Sequence, residues 1–234
     1  MIGPREGKMI SSQFRRMVLS AALAVVCAGN AFAMNVRAIV QDDAGKPVKD
    51  AVVYATSLDS EAPLPQKPLD AVMDQQDREF VPYVLPIQAG TIVYFPNHDD
   101  LRHQVYSISP AKKFQLPLYK GLPPAPVLFD RPGAVALGCN IHDWMIAYIY
   151  VVETPYFTKT GEDGRVKMQN LPQGTYEVRV WHPLMKGAPE STGKRAAAAP
   201  RDGADNDLEL SFRITLKPEW RPPRAPAVKG GEYR

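Results

Sequence analysis

Polar and apolar residues alternate with a period of two in several stretches of this chain, the signature of strands with one face buried and the other wet. The clearest case lies near the carboxyl end, where Leu208, Leu210, Phe212, Ile214 and Leu216 share one face and Glu209, Ser211, Arg213 and Thr215 the other. Tyr176, Val178 and Val180 alternate in the same way with Thr175, Glu177 and Arg179, and Val36, Ala38 and Val40 with their neighbours. β-Branched and aromatic residues fill positions 91–95 and 147–152, which predicts two further strands. Turn chemistry lies between these runs, in Asp43-Ala44-Gly45-Lys46-Pro47, Glu162-Asp163-Gly164 and Pro172-Gln173-Gly174. Short strands punctuated at this spacing predict an all-β chain built from β-sandwiches.

Composition sharpens that picture. The 234 residues include 23 prolines against 16 glycines, and proline suits turns and sheet edges while excluding helix interiors, so long helices are not expected. Two stretches lack any periodicity. Residues 58–68 hold three prolines among charged residues, and residues 187–207 mix Gly, Ala, Pro and charge, including the tetrad Ala196 to Ala199. Neither is expected to contribute to a core. The tail from Lys217 carries Pro218, Pro222, Pro223 and Pro226 with net positive charge and reads as extended, a weak electrostatic contact for an acidic partner.

The amino terminus reads as an address. Arg15 and Arg16 precede an apolar run at 17–28, which closes on Ala31-Phe32-Ala33, the small-x-small pattern of a signal-peptidase site. Residues 1–33 are therefore expected to be a cleavable signal peptide, with Met9 as an alternative start and Met34 opening the mature chain. The apolar run is too short for a retained anchor. Val26, where a small residue would be needed, argues against lipidation of Cys27. The formal charge of +3 arises in this leader, because the rest of the chain holds 24 basic and 24 acidic residues. A balance of that kind leaves no nucleic-acid footprint. Export to an oxidising compartment, read as the periplasm, leaves Cys139 without a disulfide partner.

That lone thiol sits in the most informative segment, Gly138-Cys139-Asn140-Ile141-His142-Asp143-Trp144-Met145. A thiol, an imidazole and a thioether recur there every three residues, and a tight loop can point all three inward. Upstream, residues 91–97 read as a strand and its exit, and His103 follows where the next strand should begin. Singly, each residue has a bland reading: a buried Cys, a core Met, a surface His. Together, His103, Cys139, His142 and Met145 form the two-imidazole, one-thiolate, weak-axial-methionine set of a blue-copper electron-transfer site. Zinc could use the Cys and two His with a fourth ligand, but structural zinc sites usually hold more cysteine and no methionine. Asn97 is expected to brace the ligand loops. Trp144 reads equally as a docking or electron-exchange group and as packing between domains, His98 as a solvated loop residue and His182 as structural.

Residues 72–152 resemble the cupredoxins. Phe80-Val81-Pro82, Val84 and Ile87-Gln88-Ala89-Gly90 look like their first strands and Val93-Tyr94-Phe95-Pro96-Asn97 like the next; the ligand order His, Cys, His, Met matches, and Cys-x-x-His-x-x-Met is similar to the short loop of amicyanin. With Met73-Asp74-Gln75, Val105-Tyr106-Ser107 and Trp181-His182-Pro183, the chain resembles bacterial exported cupredoxin-like proteins called methylamine utilization proteins. Those relatives commonly carry paired histidines where this chain has His103-Gln104. The flanks resemble a carboxypeptidase regulatory-like, prealbumin-type sandwich, in Val36-Arg37-Ala38-Ile39-Val40 through Ala51-Val52-Val53 and in Thr160-Gly161-Glu162-Asp163-Gly164 through Gly174-Thr175-Tyr176.

These resemblances imply a cupredoxin Greek-key β-sandwich at 70–153, inserted in or packed with a second sandwich formed by 34–69 and 154–217, before a Pro-rich basic tail at 218–234. One elaborated cupredoxin is the alternative. The implied function is that of a periplasmic type 1 copper protein, not an enzyme, with one copper per chain. It would pass single electrons between redox proteins such as a cytochrome c or a dehydrogenase, with no nucleic acid and no membrane after signal cleavage. Copper delivery and a non-redox structural module are the alternatives. The lack of a His-x-His pair argues against a multicopper oxidase, and a single mature cysteine against a dinuclear copper centre.

Overall fold

The computed structural model describes Gly3 and residues 34–59, 69–123, 125–197 and 207–219. Apart from Gly3, the expected signal peptide lies outside the described residues, as do residues 60–68, 198–206 and the tail beyond 219. The chain divides into two compact units, Met1–Asn30 and Ala31–Arg234, and the second carries every strand among the described residues.

As expected, the architecture is all-β. β1 (Met34–Gln41) and β2 (Val52–Ser57) open it. The middle holds β3 (Asp70–Val72), β4 (Asp74–Gln76), β5 (Glu79–Val81), β6 (Val84–Gln88) and β7 (Thr91–Tyr94). It continues with β8 (Tyr106–Ser109), β9 (Lys112–Gln115), β10 (Val127–Phe129), β11 (Gly133–Gly138) and β12 (Ile146–Val152). β13 (Phe157–Lys159), β14 (Arg165–Leu171), β15 (Thr175–Trp181), β16 (Lys194–Ala197) and β17 (Asp207–Arg213) complete the set, with one 3-10 turn at Pro189–Thr192. Among the described residues there is no helix long and apolar enough to cross a membrane.

The two ends of the chain pair with each other. One sheet runs β14-β1-β17 and another β13-β2-β15-β16, so residues near position 37 lie beside residues near 167 and 209. The middle strands pair among themselves, as β10-β7-β3, as β6-β12-β11-β8-β9 and as the hairpin β4-β5. Alternation along the end strands puts Val36, Val40, Val53, Val178 and Val180 into one core, each 0% exposed. Phe95, Phe129, Val135 and Ile149 fill a second core within the middle strands, again at 0%.

β12 explains how the two cores meet. Its residues read as a continuous apolar run because both faces are covered. Ala147, Ile149 and Val151 point into the middle core, while Tyr150 and Val152 join Val52, Tyr54, Val84 and Trp181 in a third cluster against β2 and β15. There the Tyr150 and Trp181 rings stack with centroids 4.2 Å apart and planes 8° from parallel.

Two local expectations need correction. The alternating run at 208–216 is a strand only as far as Arg213; Leu216 instead bridges to Met185. The stretch 187–207, expected to stay out of the core, contributes β16, whose Ala196 is 1% exposed within the first core. Four residues are too few to display a period, and β16 exists because β15 offers it an open edge.

Candidate metal centre

Inward-facing positions of β11 are Val135 and Leu137, and Cys139 continues that face one step beyond the strand, 4% exposed. Just before it, Gly138 leaves room for the ring of Tyr106 on the neighbouring strand β8, which a Cβ would approach to 2.8 Å. The chain then makes a single turn, closed by the Met145 N–H donating to the His142 carbonyl at 2.9 Å. This turn swings half-buried His142 back over Cys139 and sends Met145, 1% exposed, into the core that also holds Cys139.

His103 comes from the loop between β7 and β8 and is 0% exposed. Its main chain pairs with Tyr119, N–H to carbonyl in both directions at 2.9 and 3.0 Å. Asn97, 3% exposed, holds this loop: its side-chain amide donates to the Leu101 and Tyr119 carbonyls, both at 2.9 Å, and its Oδ1 accepts from the Asp99 N–H. Asn140 donates to Gln104 and so ties the Cys139 loop to the His103 loop.

Three of the four residues singled out by sequence thus converge through their donor atoms. Cys139 Sγ lies 3.9 Å from Nδ1 of His103 and 3.9 Å from Nδ1 of His142, and the two nitrogens are 3.2 Å apart. A triangle with these sides has a centre about 2.1 Å from every corner, the length of a metal–imidazole bond. One soft sulfur and two imidazoles suit copper, and zinc with a further ligand.

The electrostatics favour an anionic sulfur. Burial pushes the Cys139 thiol up, but hydrogen bonds from His103 and from the Ile141 and Gln104 main-chain N–H groups bring it below its usual value. Burial likewise opposes a charge on His103, yet its bonds to Cys139 and Asp99 outweigh that and raise its pKa. His142 is lowered by burial and then by the positive His103 and Arg78.

Asp99 escaped the sequence reading. Its Oδ2 sits 2.6 Å from Nε2 of His103 on the ring side away from Cys139. Asp99 and His103 stand four residues apart, but outside a helix that spacing has no meaning until the loop is folded. His98 is exposed, its ring paired with Asp74 at 2.7 Å. His182 is 7% exposed in the end strands, where its Nδ1 accepts from the Leu184 N–H. Trp144 lies against His142, ring centroids 5.1 Å apart, and has no part in the cluster between the two cores.

No family model matches the chain, and no curated protein does. Among solved structures, a copper-containing nitrite reductase from Thermus scotoductus is similar over 50% of this chain and 28% of its own, at 24% identity and a TM-score of 0.35. Two amicyanin variants, one reduced and one oxidized, are each similar over 42% of this chain and 99% of their own, both at 19% identity, with TM-scores of 0.32 and 0.33.

Proposed function

We propose that this chain is an exported, periplasmic blue-copper protein that carries single electrons between redox partners and is not itself an enzyme. The observation that carries this reading is the triangle of Cys139 Sγ, His103 Nδ1 and His142 Nδ1, whose centre fits one metal ion. His103, Cys139 and His142 would hold one copper per chain, with Met145 as a further, weak ligand. Copper bound there supplies reversible one-electron chemistry, and the mixed sulfur and nitrogen donors suit both oxidation states. The protein's part is to hold the donors in place, so that little has to move when the charge changes.

The cupredoxin reading assigns residues 70–153 to the copper-binding sandwich and 34–69 with 154–217 to the outer one. Leu101, Leu118, Leu122 and Ile141 are 42%, 50%, 81% and 53% exposed on segments that carry or brace the ligands. Half-buried His142 follows Ile141 directly, and exposed apolar side chains on these segments suit transient docking of a redox protein such as a cytochrome c or a dehydrogenase.

The test is Cu(II) titration of the mature chain, followed by visible absorption and electron paramagnetic resonance, beside Cys139→Ala. The expected result is an intense blue band with narrow hyperfine splitting at one copper per chain, absent from the variant. A weak, pale signal indifferent to Cys139 would overturn the reading in favour of copper delivery or a non-redox sandwich.

A further inference from the structure

We propose that Asp99 is a positioning residue that fixes the tautomer and orientation of His103, and that the turn between β4 and β5 is the cradle that holds Asp99 to this task. The inference rests on the metal-binding reading of His103.

Three N–H groups converge on this one carboxylate. The Asp77 N–H donates to Oδ1 at 2.6 Å, the Arg78 N–H to Oδ2 at 2.8 Å, and Nε2 of His103 meets Oδ2 at 2.6 Å. Asp77 and Arg78 both adopt left-handed backbone, with φ of 53° and 60°, as a two-residue hairpin turn requires. Successive N–H groups in such a turn form a concavity for an anionic oxygen. The hairpin stands apart from the larger sheets as a two-stranded unit, and its turn reaches the metal centre through Asp99. Neighbouring acids are engaged elsewhere: Asp74 with His98 and Asp100 with Lys120.

An ionised carboxylate only accepts, so Asp99 holds a proton on Nε2 of His103 and leaves Nδ1, which faces Cys139 and His142, as the nitrogen a metal can take. The His103 side chain is 0% exposed, so in the folded chain its Nε2 meets Asp99 rather than solvent. The contact orients the ring about the bond that points to the sulfur. A side-chain amide of the same shape cannot substitute, because the site presents donors on both sides. Turned toward His103, the NH2 group would drive the proton to Nδ1 and block the metal-binding atom; turned toward the hairpin, it would face the Asp77 and Arg78 N–H groups.

The experiment has two arms. In the first, long-range proton–nitrogen spectra of the metal-free mature protein, labelled at histidine, report which His103 nitrogens carry protons; a proton on Nε2 is expected, with or without one on Nδ1, and a ring protonated on Nδ1 alone would overturn the proposal. In the second, Cu(II) and Zn(II) affinities are measured by chelator competition for wild type, Asp99→Asn and the control Asp100→Asn. Asp99→Asn is expected to bind about 10- to 100-fold more weakly, with Asp100→Asn unchanged. Wild-type affinity and tautomer in Asp99→Asn would overturn the proposal. If Asp99→Asn does not fold, the wild-type tautomer decides. The Nε2–H form in a wild-type protein that takes up neither metal would sink the copper reading and leave the tautomer assignment standing.

Discussion

At the scale of single residues, the two imidazoles play unequal parts. His103 is fully enclosed and bonded at both ring nitrogens, whereas His142 is half-buried beside exposed Ile141. Truncating each to glycine should therefore differ in kind. His142→Gly opens a gap to solvent, and free imidazole is expected to restore the blue band in a copper titration; His103→Gly leaves a closed hole and is expected to resist rescue and lower stability. His182 offers a second prediction. Burial holds it below its ordinary value of 6.5, against the pull of the Asp50 and Glu219 carboxylates. The unfolded chain takes up this proton first as pH falls, so the stabilisation is complete above pH 6.5 and is lost as pH drops below it. Urea denaturation at a series of pH values should show that decline, and His182→Gln should flatten it.

At the scale of elements, the centre depends on how β11 leaves its sheet. Gly138 lets the Tyr106 ring lie across the strand end and lets Cys139 keep the inward face set by Val135 and Leu137. Adding side-chain bulk there forces the ring aside, a crowding effect of about 1–3 kcal/mol. Gly138→Val is expected to lower the unfolding free energy by that amount, and Tyr106→Ala in the same chain to relieve much of the loss, as a double-mutant cycle would reveal. Strands β1, β7, β12, β15 and β17 announced themselves by alternation or β-branching. β16 did not, because an edge strand of four residues takes its conformation from β15, its neighbour across the sheet.

At the scale of the molecule, the contact between the two cores is aromatic. Trp181 of β15 stacks on Tyr150 of β12, and Tyr54 of β2 lies 5.8 Å from Tyr150 on its own side. Trp181→Ala removes a side chain that is 8% exposed and is expected to cost about 3–5 kcal/mol. Unfolding followed by near-ultraviolet circular dichroism and by thiol reactivity of Cys139 checks this: one transition in the wild type, and in the variant an earlier loss of aromatic signal than of Cys139 protection.

Much of this protein is written locally. Period-two alternation and turn residues act over a few positions, so the all-β character and the strands β1, β7, β12, β15 and β17 follow from the chain read in order. The grouping of Cys139, His142 and Met145 within seven residues is local in the same sense. Long-range pairing is different in kind. That β1 lies between β14 and β17, that β12 is covered on both faces, and that Ala196 belongs to a core depend on contacts between residues far apart in sequence. The distance from His103 to Cys139 and the arrival of Asp99 behind His103 have the same origin. Residue types show what chemistry is possible, but a donor triangle with sides of 3.2 and 3.9 Å exists only once packing brings separate loops to one point.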